Sequence, residues 1–190
     1  TGFAGMFYFG FRCNSWGNLT LASGTTPTAN TNALVFVGIG SQTITSNGAS
    51  TNCPITFNGV GGTWTLQDNF TMSSGRAFTL TNGTFNANGK NVTIGSLALG
   101  AGTKTLTLGS GTWTCLAGWN SNTNVSGLTV SASTGTISMT SASAKTFSGG
   151  GQTWPTLNQG GAGALTITQS NTFANITDTV QPATVTLTAG

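Results

Sequence analysis

The chain has 190 residues with 5 Lys and Arg, two carboxylates and no His, so charged residues are 4% where about 25% is ordinary for a soluble domain. With Asp68 and Asp178 the only carboxylates, a Ser-His-Asp triad, a dedicated acid–base pair and a His- or carboxylate-built metal site are nearly excluded. No cofactor and no catalytic residue are expected. A net charge of +3 is too small to drive nucleic-acid binding by counterion release. The longest apolar run, residues 2–11, is far short of the roughly 20 residues of a membrane-spanning helix.

That run opens the chain. Phe3, Met6, Phe7, Tyr8, Phe9 and Phe11 place six large side chains within nine positions, which is costly to leave in water. They are candidate assembly contacts, or a cap over the chain's own end. Trp16 follows in turn-like sequence as a candidate exposed aromatic contact. Up to residue 60 only scattered apolar-Thr-apolar triads appear, such as Leu19-Thr20-Leu21 and Ile55-Thr56-Phe57, with Pro27 and Pro54 in turn-like surroundings. We read residues 1–60 as an N-terminal cap or connector and 61–190 as the body.

The body carries a repeat. Residues 75–88, 89–102 and 103–116 align without gaps at a step of 14. Arg76, Lys90 and Lys104 each stand two residues before a triad: Phe78-Thr79-Leu80, Val92-Thr93-Ile94 and Leu106-Thr107-Leu108. A large apolar residue follows nine after each cation, at Phe85, Leu99 and Trp113. Period-2 alternation is the strand signature, with the apolar pair on one face and Thr on the other. Later triads, Leu165-Thr166-Ile167 and Val185-Thr186-Leu187 among them, continue the pattern. Trp119 lies in a longer turn and is a second candidate exposed aromatic contact, whereas Trp64, Trp113 and Trp154 read as core.

The fold expected is all-β: a β-solenoid of short strands with coils of about 20–30 residues, since exact repetition benefits a stack of coils. A coil of about 28 residues would hold two repeats and place Arg76 and Lys104 on one edge, with Lys90 across from them. The alternative is an antiparallel β-sandwich, in which Asn82-Gly83 is a hairpin turn. Asp68 and Asp178 read as turn or strand-end residues capping local backbone. Cys13, Cys53 and Cys115 have no metal-ligand spacing; Cys115 shares the inward phase of Trp113, and Cys13 with Cys53 remains open to one disulfide. Thr-x-Thr pairs such as Thr43/Thr45, Thr63/Thr65 and Thr105/Thr107 resemble the arrays of ice-binding solenoids. Irregular steps between the pairs leave the sheet preference of Thr as the simpler reading.

The stretch from Ser131 to Gly190, with FTLTNGTFNANGKNVTIGSL and LTLGSGTWT before it, resembles the Gly/Thr-rich β-helical repeat proteins of tailed phages and aquatic metagenomes, which include tail-fibre-like and virion surface proteins. The resemblance implies a non-enzymatic structural protein, most simply a phage virion fibre, spike or capsid-decoration protein, on a virion surface or otherwise extracellular. Its expected partners are further copies of itself, other structural subunits or a cell-surface glycan, with no nucleic acid and no membrane crossing. A bacterial or archaeal surface filament subunit or adhesin is the alternative, and an ice-binding solenoid the third reading. Residues 160–190 offer only Asp178 and Pro182 to protect an exposed strand edge, so an oligomer is expected.

Overall fold

The computed structural model describes residues 6–7, 10–27, 29–73, 75–120, 124–131 and 133–188. Among them there is no helix, and every strand pairing is parallel. The strands stack in about eight turns as a β-solenoid. A hairpin-built sandwich needs antiparallel neighbours, and none is present among the described residues.

Each turn carries three strand segments, which define three faces. The first face runs through Cys13–Ser15, Leu34–Phe36, residues 55–58 and 77–80, Ser96–Leu99, Lys145–Ser148, Leu165–Thr168 and Val185–Thr188. The second holds Ser41–Thr45, residues 63–66 and 83–86, Lys104–Thr107 and Leu128–Ser131. The third holds Phe70–Met72, Val92–Ile94, Thr112–Cys115, Thr136–Met139, Thr156–Gln159 and Ile176–Asp178. Turn length varies: Leu34 stands on Ile55, 21 residues on, Leu157 on Ile176, 19 on, and Trp119 on Phe147, 28 on.

These lengths give the 14-residue repeat a different meaning from the one expected. One repeat covers two faces, so three repeats close two turns, and successive copies fall on different faces. Arg76 therefore leads into the first face, Lys90 into the third and Lys104 into the second. Arg76 and Lys104 do not share an edge, and no column of like charges forms.

Within a strand the alternation predicted from the triads holds. Phe78, Leu80, Val92, Ile94, Leu106, Leu108 and Trp113 are buried, whereas Thr79, Thr93 and Thr107 are half-exposed on the outside. Equivalent positions superpose from turn to turn, so inward side chains form columns. One runs Cys13, Leu34, Ile55, Phe78, Leu97, Trp119, Phe147, Ile167, Leu187; another runs Phe70, Val92, Trp113, Ile137, Leu157, Ile176. Aromatic rings meet along the axis from Phe36 through Phe57, Phe85, Trp113, Trp119 and Phe147 to Phe173, with centroids 4.8 to 5.9 Å apart. Each such pair contributes about 1 kcal/mol beyond its buried area.

The boundary expected at 60/61 falls inside a single strand, Ile55–Leu66, and parallel stacking is already established at Cys13–Ser15. The early turns escaped the repeat because their corners differ in length, which breaks the sequence period without disturbing the stack. At the corner between the first and second faces, Gly83 has φ of +85°, and a Cβ there would meet the carbonyl oxygens of Gly59 and Gly62 at 2.6 Å. Only glycine fits that approach. Asn82 beside it donates from Nδ2 to Asn58 Oδ1 at 2.7 Å, joining one corner to the next.

Leu106 is fully buried between Phe85 and Val130 in its column. Leu106→Asp is expected to lose about 4 kcal/mol or more, because an unpaired charge enters the stack. Thermal denaturation followed by circular dichroism checks this; an unchanged midpoint would contradict the register.

Candidate functional surfaces

The few ionisable groups are dispersed along the solenoid. Asp68 caps a turn, accepting from the backbone N–H groups of Ser46, at 2.8 Å, and Asn47. Asp178 Oδ1 accepts from the Val180 N–H at 3.1 Å. Ile176 stands five rungs above Phe70 in the third-face column, which separates the two carboxylates by roughly 24 Å at about 4.8 Å per rung. Paired glycosidase carboxylates lie within about 10 Å of each other, so these two do not share a site. No group of His, Cys, Asp or Glu that could hold a metal occurs among the described residues.

Two of the lysines are withdrawn from solvent. Lys104 and Lys145 are buried, with no carboxylate beside them. Lys104 Nζ donates to the carbonyls of Gly102, at 2.9 Å, and Ser126. Lys145 Nζ donates to those of Ser141, Gly161 and Gly163, at 3.0, 3.1 and 2.6 Å. Each ammonium ties carbonyls of neighbouring turns at a corner, while burial pulls both pKa values below the usual lysine value. Lys145→Met keeps the length and removes three charge-assisted bonds. It is expected to cost about 3 kcal/mol and, for a chain of this size, to lower the melting midpoint by roughly 10 °C.

Cys13, Cys53 and Cys115 are all free thiols. Burial pushes the Cys115 thiol up to about 11 and raises that of Cys53. Because the folded value of Cys115 lies above the unfolded one, its contribution to stability is intact below about pH 9 and is lost as pH rises to about 11. That shift of about two units corresponds to roughly 2.7 kcal/mol. The lysines act in the opposite direction over the approach to their unfolded value, so the thiol is isolated by comparison. Between pH 8 and 11 the wild type should lose about 2–3 kcal/mol more than Cys115→Ala in urea denaturation. Parallel curves would contradict the assignment.

Among the predicted contact residues, Trp16 is 70% exposed, as is Phe11 to a greater degree. Met6 and Phe7 form a strand parallel to Thr26–Pro27. Phe3, Tyr8 and Phe9 lie outside the described residues. Trp119 corrects the expectation: it is fully buried, stacked on Phe147 at 5.9 Å and edge-on to Trp113 at 5.8 Å. Its turn-like neighbourhood conceals a first-face position, bridged to Leu97 below and Phe147 above, from which the ring continues the column.

Two apolar surfaces extend these expectations, one around Trp16 and one at the last described turn. Trp16, Ile39 and Val60 stand exposed at first-to-second-face corners of successive turns. Glycines flank two of them, in Gly38-Ile39-Gly40 and Gly59-Val60-Gly61, and Gly17 follows Trp16; this is the signal that sequence inspection could have used. At the other end the last described turn leaves Ile176, Val185 and Leu187 exposed, Leu187 at 72%. A cavity of about 300 Å³ opens there, lined by Ile167, Phe173, Ile176 and Leu187 with polar neighbours. No helix of the described residues is long and apolar enough to cross a membrane. Comparison of the chain with protein-family models, curated proteins and solved structures gave no match.

Proposed function

We propose that the chain is a non-enzymatic structural unit of an external assembly, a phage virion fibre, spike or capsid-decoration protein, whose exposed solenoid end is covered by another copy or another structural subunit. The observation that carries this reading is the last described turn. Ile176 and Leu187 continue columns that are buried at every other rung of the body, yet both face solvent. The free edge of Val185–Thr188 adds unpaired backbone groups, which template strand addition. No Lys or Arg follows Lys145 to blunt that edge.

A surface filament subunit or adhesin, bacterial or archaeal, is the second reading. The exposed ridge of Trp16, Ile39 and Val60 favours it, since an exposed indole offers a stacking face to a glycan. Both readings place the protein on a virion or in an extracellular setting, where a surface solvated by hydroxyls and amides suffices.

Sedimentation across a range of micromolar concentrations tests the proposal. The wild type is expected to associate, and Leu187→Arg to weaken association at least roughly tenfold, about 1.4 kcal/mol, with little change in melting midpoint. Deleting residues 1–12 measures the separate contribution of the aromatic segment. A wild-type chain that stays monomeric throughout, with both variants sedimenting identically, would overturn the reading.

A further inference from the structure

The second face carries two unbroken ranks of small polar side chains in strict register. The first is Ser41, Thr63, Thr84, Thr105 and Thr129; the second is Thr43, Thr65, Asn86, Thr107 and Ser131. Rungs lie about 4.8 Å apart along the axis, and the two ranks about 6.7 Å apart along each strand. The steps between Thr-x-Thr pairs are irregular in sequence because the corners vary in length and the pairs fall on different faces; on this face Thr63/Thr65 and Thr105/Thr107 share the two ranks through Thr84 and Asn86, and Thr43 stands on Thr65. Between the ranks Trp64, Phe85 and Leu106 point inward and are fully buried, forming a rigid backing.

Three features suit this face to an ordered ligand. None of its ten outward positions is ionisable, and the nearby Lys104 turns its ammonium into the corner carbonyls. Among the described residues, the side chains of Thr63, Thr65, Thr84 and Thr105 make no hydrogen bond to protein, whereas Thr107 Oγ1 donates to Ser131 Oγ at 3.2 Å and Asn86 Oδ1 accepts from the Asn88 N–H at 2.8 Å. On the third face the upper rungs are tied together through Asn158, while Thr71, Thr93 and Thr114 below them make no side-chain hydrogen bond among the described residues. Asn69 Oδ1 accepts from Asn91 N–H, Asn91 Oδ1 from Thr112 N–H, Asn158 Nδ2 donates to Ser138 Oγ, and Thr177 Oγ1 to Asn158 Oδ1. Finally, the threonines are β-branched, so each presents its hydroxyl and methyl in a nearly fixed orientation and loses little rotamer freedom on contact.

We propose that this face binds ice, by ordering water into a two-dimensional lattice on the free hydroxyl ranks. An uncharged polysaccharide surface is the competing ligand. It is disfavoured because no aromatic ring is exposed between the ranks and no carboxylate stands there to chelate sugar diols. The inference is independent of the assembly reading, which concerns the end of the solenoid.

The test is slow ice growth from a solution of the full chain, measuring incorporation into the ice and arrest of growth. Thr84→Lys and Thr105→Lys interrupt the ranks, and Thr166→Lys on the first face serves as control; melting midpoints establish that each variant is folded. Wild type and Thr166→Lys are expected to enter the ice and slow its growth, and the two second-face variants to lose both effects. Exclusion of the wild type from ice, or equal incorporation of all three variants, would overturn the proposal. So would binding to microcrystalline cellulose or chitin that Thr84→Lys and Thr105→Lys abolish, with no effect on ice, which would assign the face to polysaccharide.

Discussion

Parallel stacking of one turn on the next is the constraint from which the rest of this structure follows. A strand here finds its hydrogen-bond partners in the turns above and below, about 21 residues away in sequence, and not in a neighbouring hairpin. Backbone groups are satisfied only while the register is kept. The register in turn is kept by the inward columns, because a slip of one residue would bring Thr into the core and Phe or Leu into water. Aromatic rings in contact from Phe36 to Phe173 make that penalty continuous along the axis.

Variation is confined to the corners. Turns of 19 to 28 residues coexist in one stack because the faces keep their pairing while the corners lengthen or shorten. The buried lysines belong to this arrangement. Longer corners turn carbonyl oxygens inward where no backbone N–H can reach them, and the ammoniums of Lys104 and Lys145 satisfy them. Burying a charge without a counterion is normally expensive, and several carbonyl dipoles converging on each ammonium offset that cost.

The geometry also separates the surfaces on which interactions depend. An end of the solenoid offers unpaired strand edges and the interrupted tops of apolar columns, which suit polypeptide. The faces offer flat, uncharged, periodic arrays, which suit periodic ligands. The ridge of Trp16, Ile39 and Val60 lies between these, a short apolar line at a corner.

Sequence by itself determined the strand phase and the inward identity of Phe78, Val92, Leu106 and Trp113, since each follows from alternation along the chain, and its repetition favoured a solenoid over the sandwich that the parallel pairings then excluded. It also located Asp68 and Asp178 at turn or strand-end positions, although the backbone that Asp68 caps, at Ser46 and Asn47, belongs to the neighbouring turn. It did not determine that the 14-residue repeat is two faces of a three-faced turn, because turn length is set by how corners close in space and leaves no mark on a local pattern. For the same reason Trp119 read as a turn residue, and the burial of the Lys104 and Lys145 ammoniums left no local signal. Which Thr-x-Thr pairs share a face, and that Leu187 continues the first-face column yet stands exposed, were decided only by the tertiary structure, since both depend on which residues the coiling brings side by side.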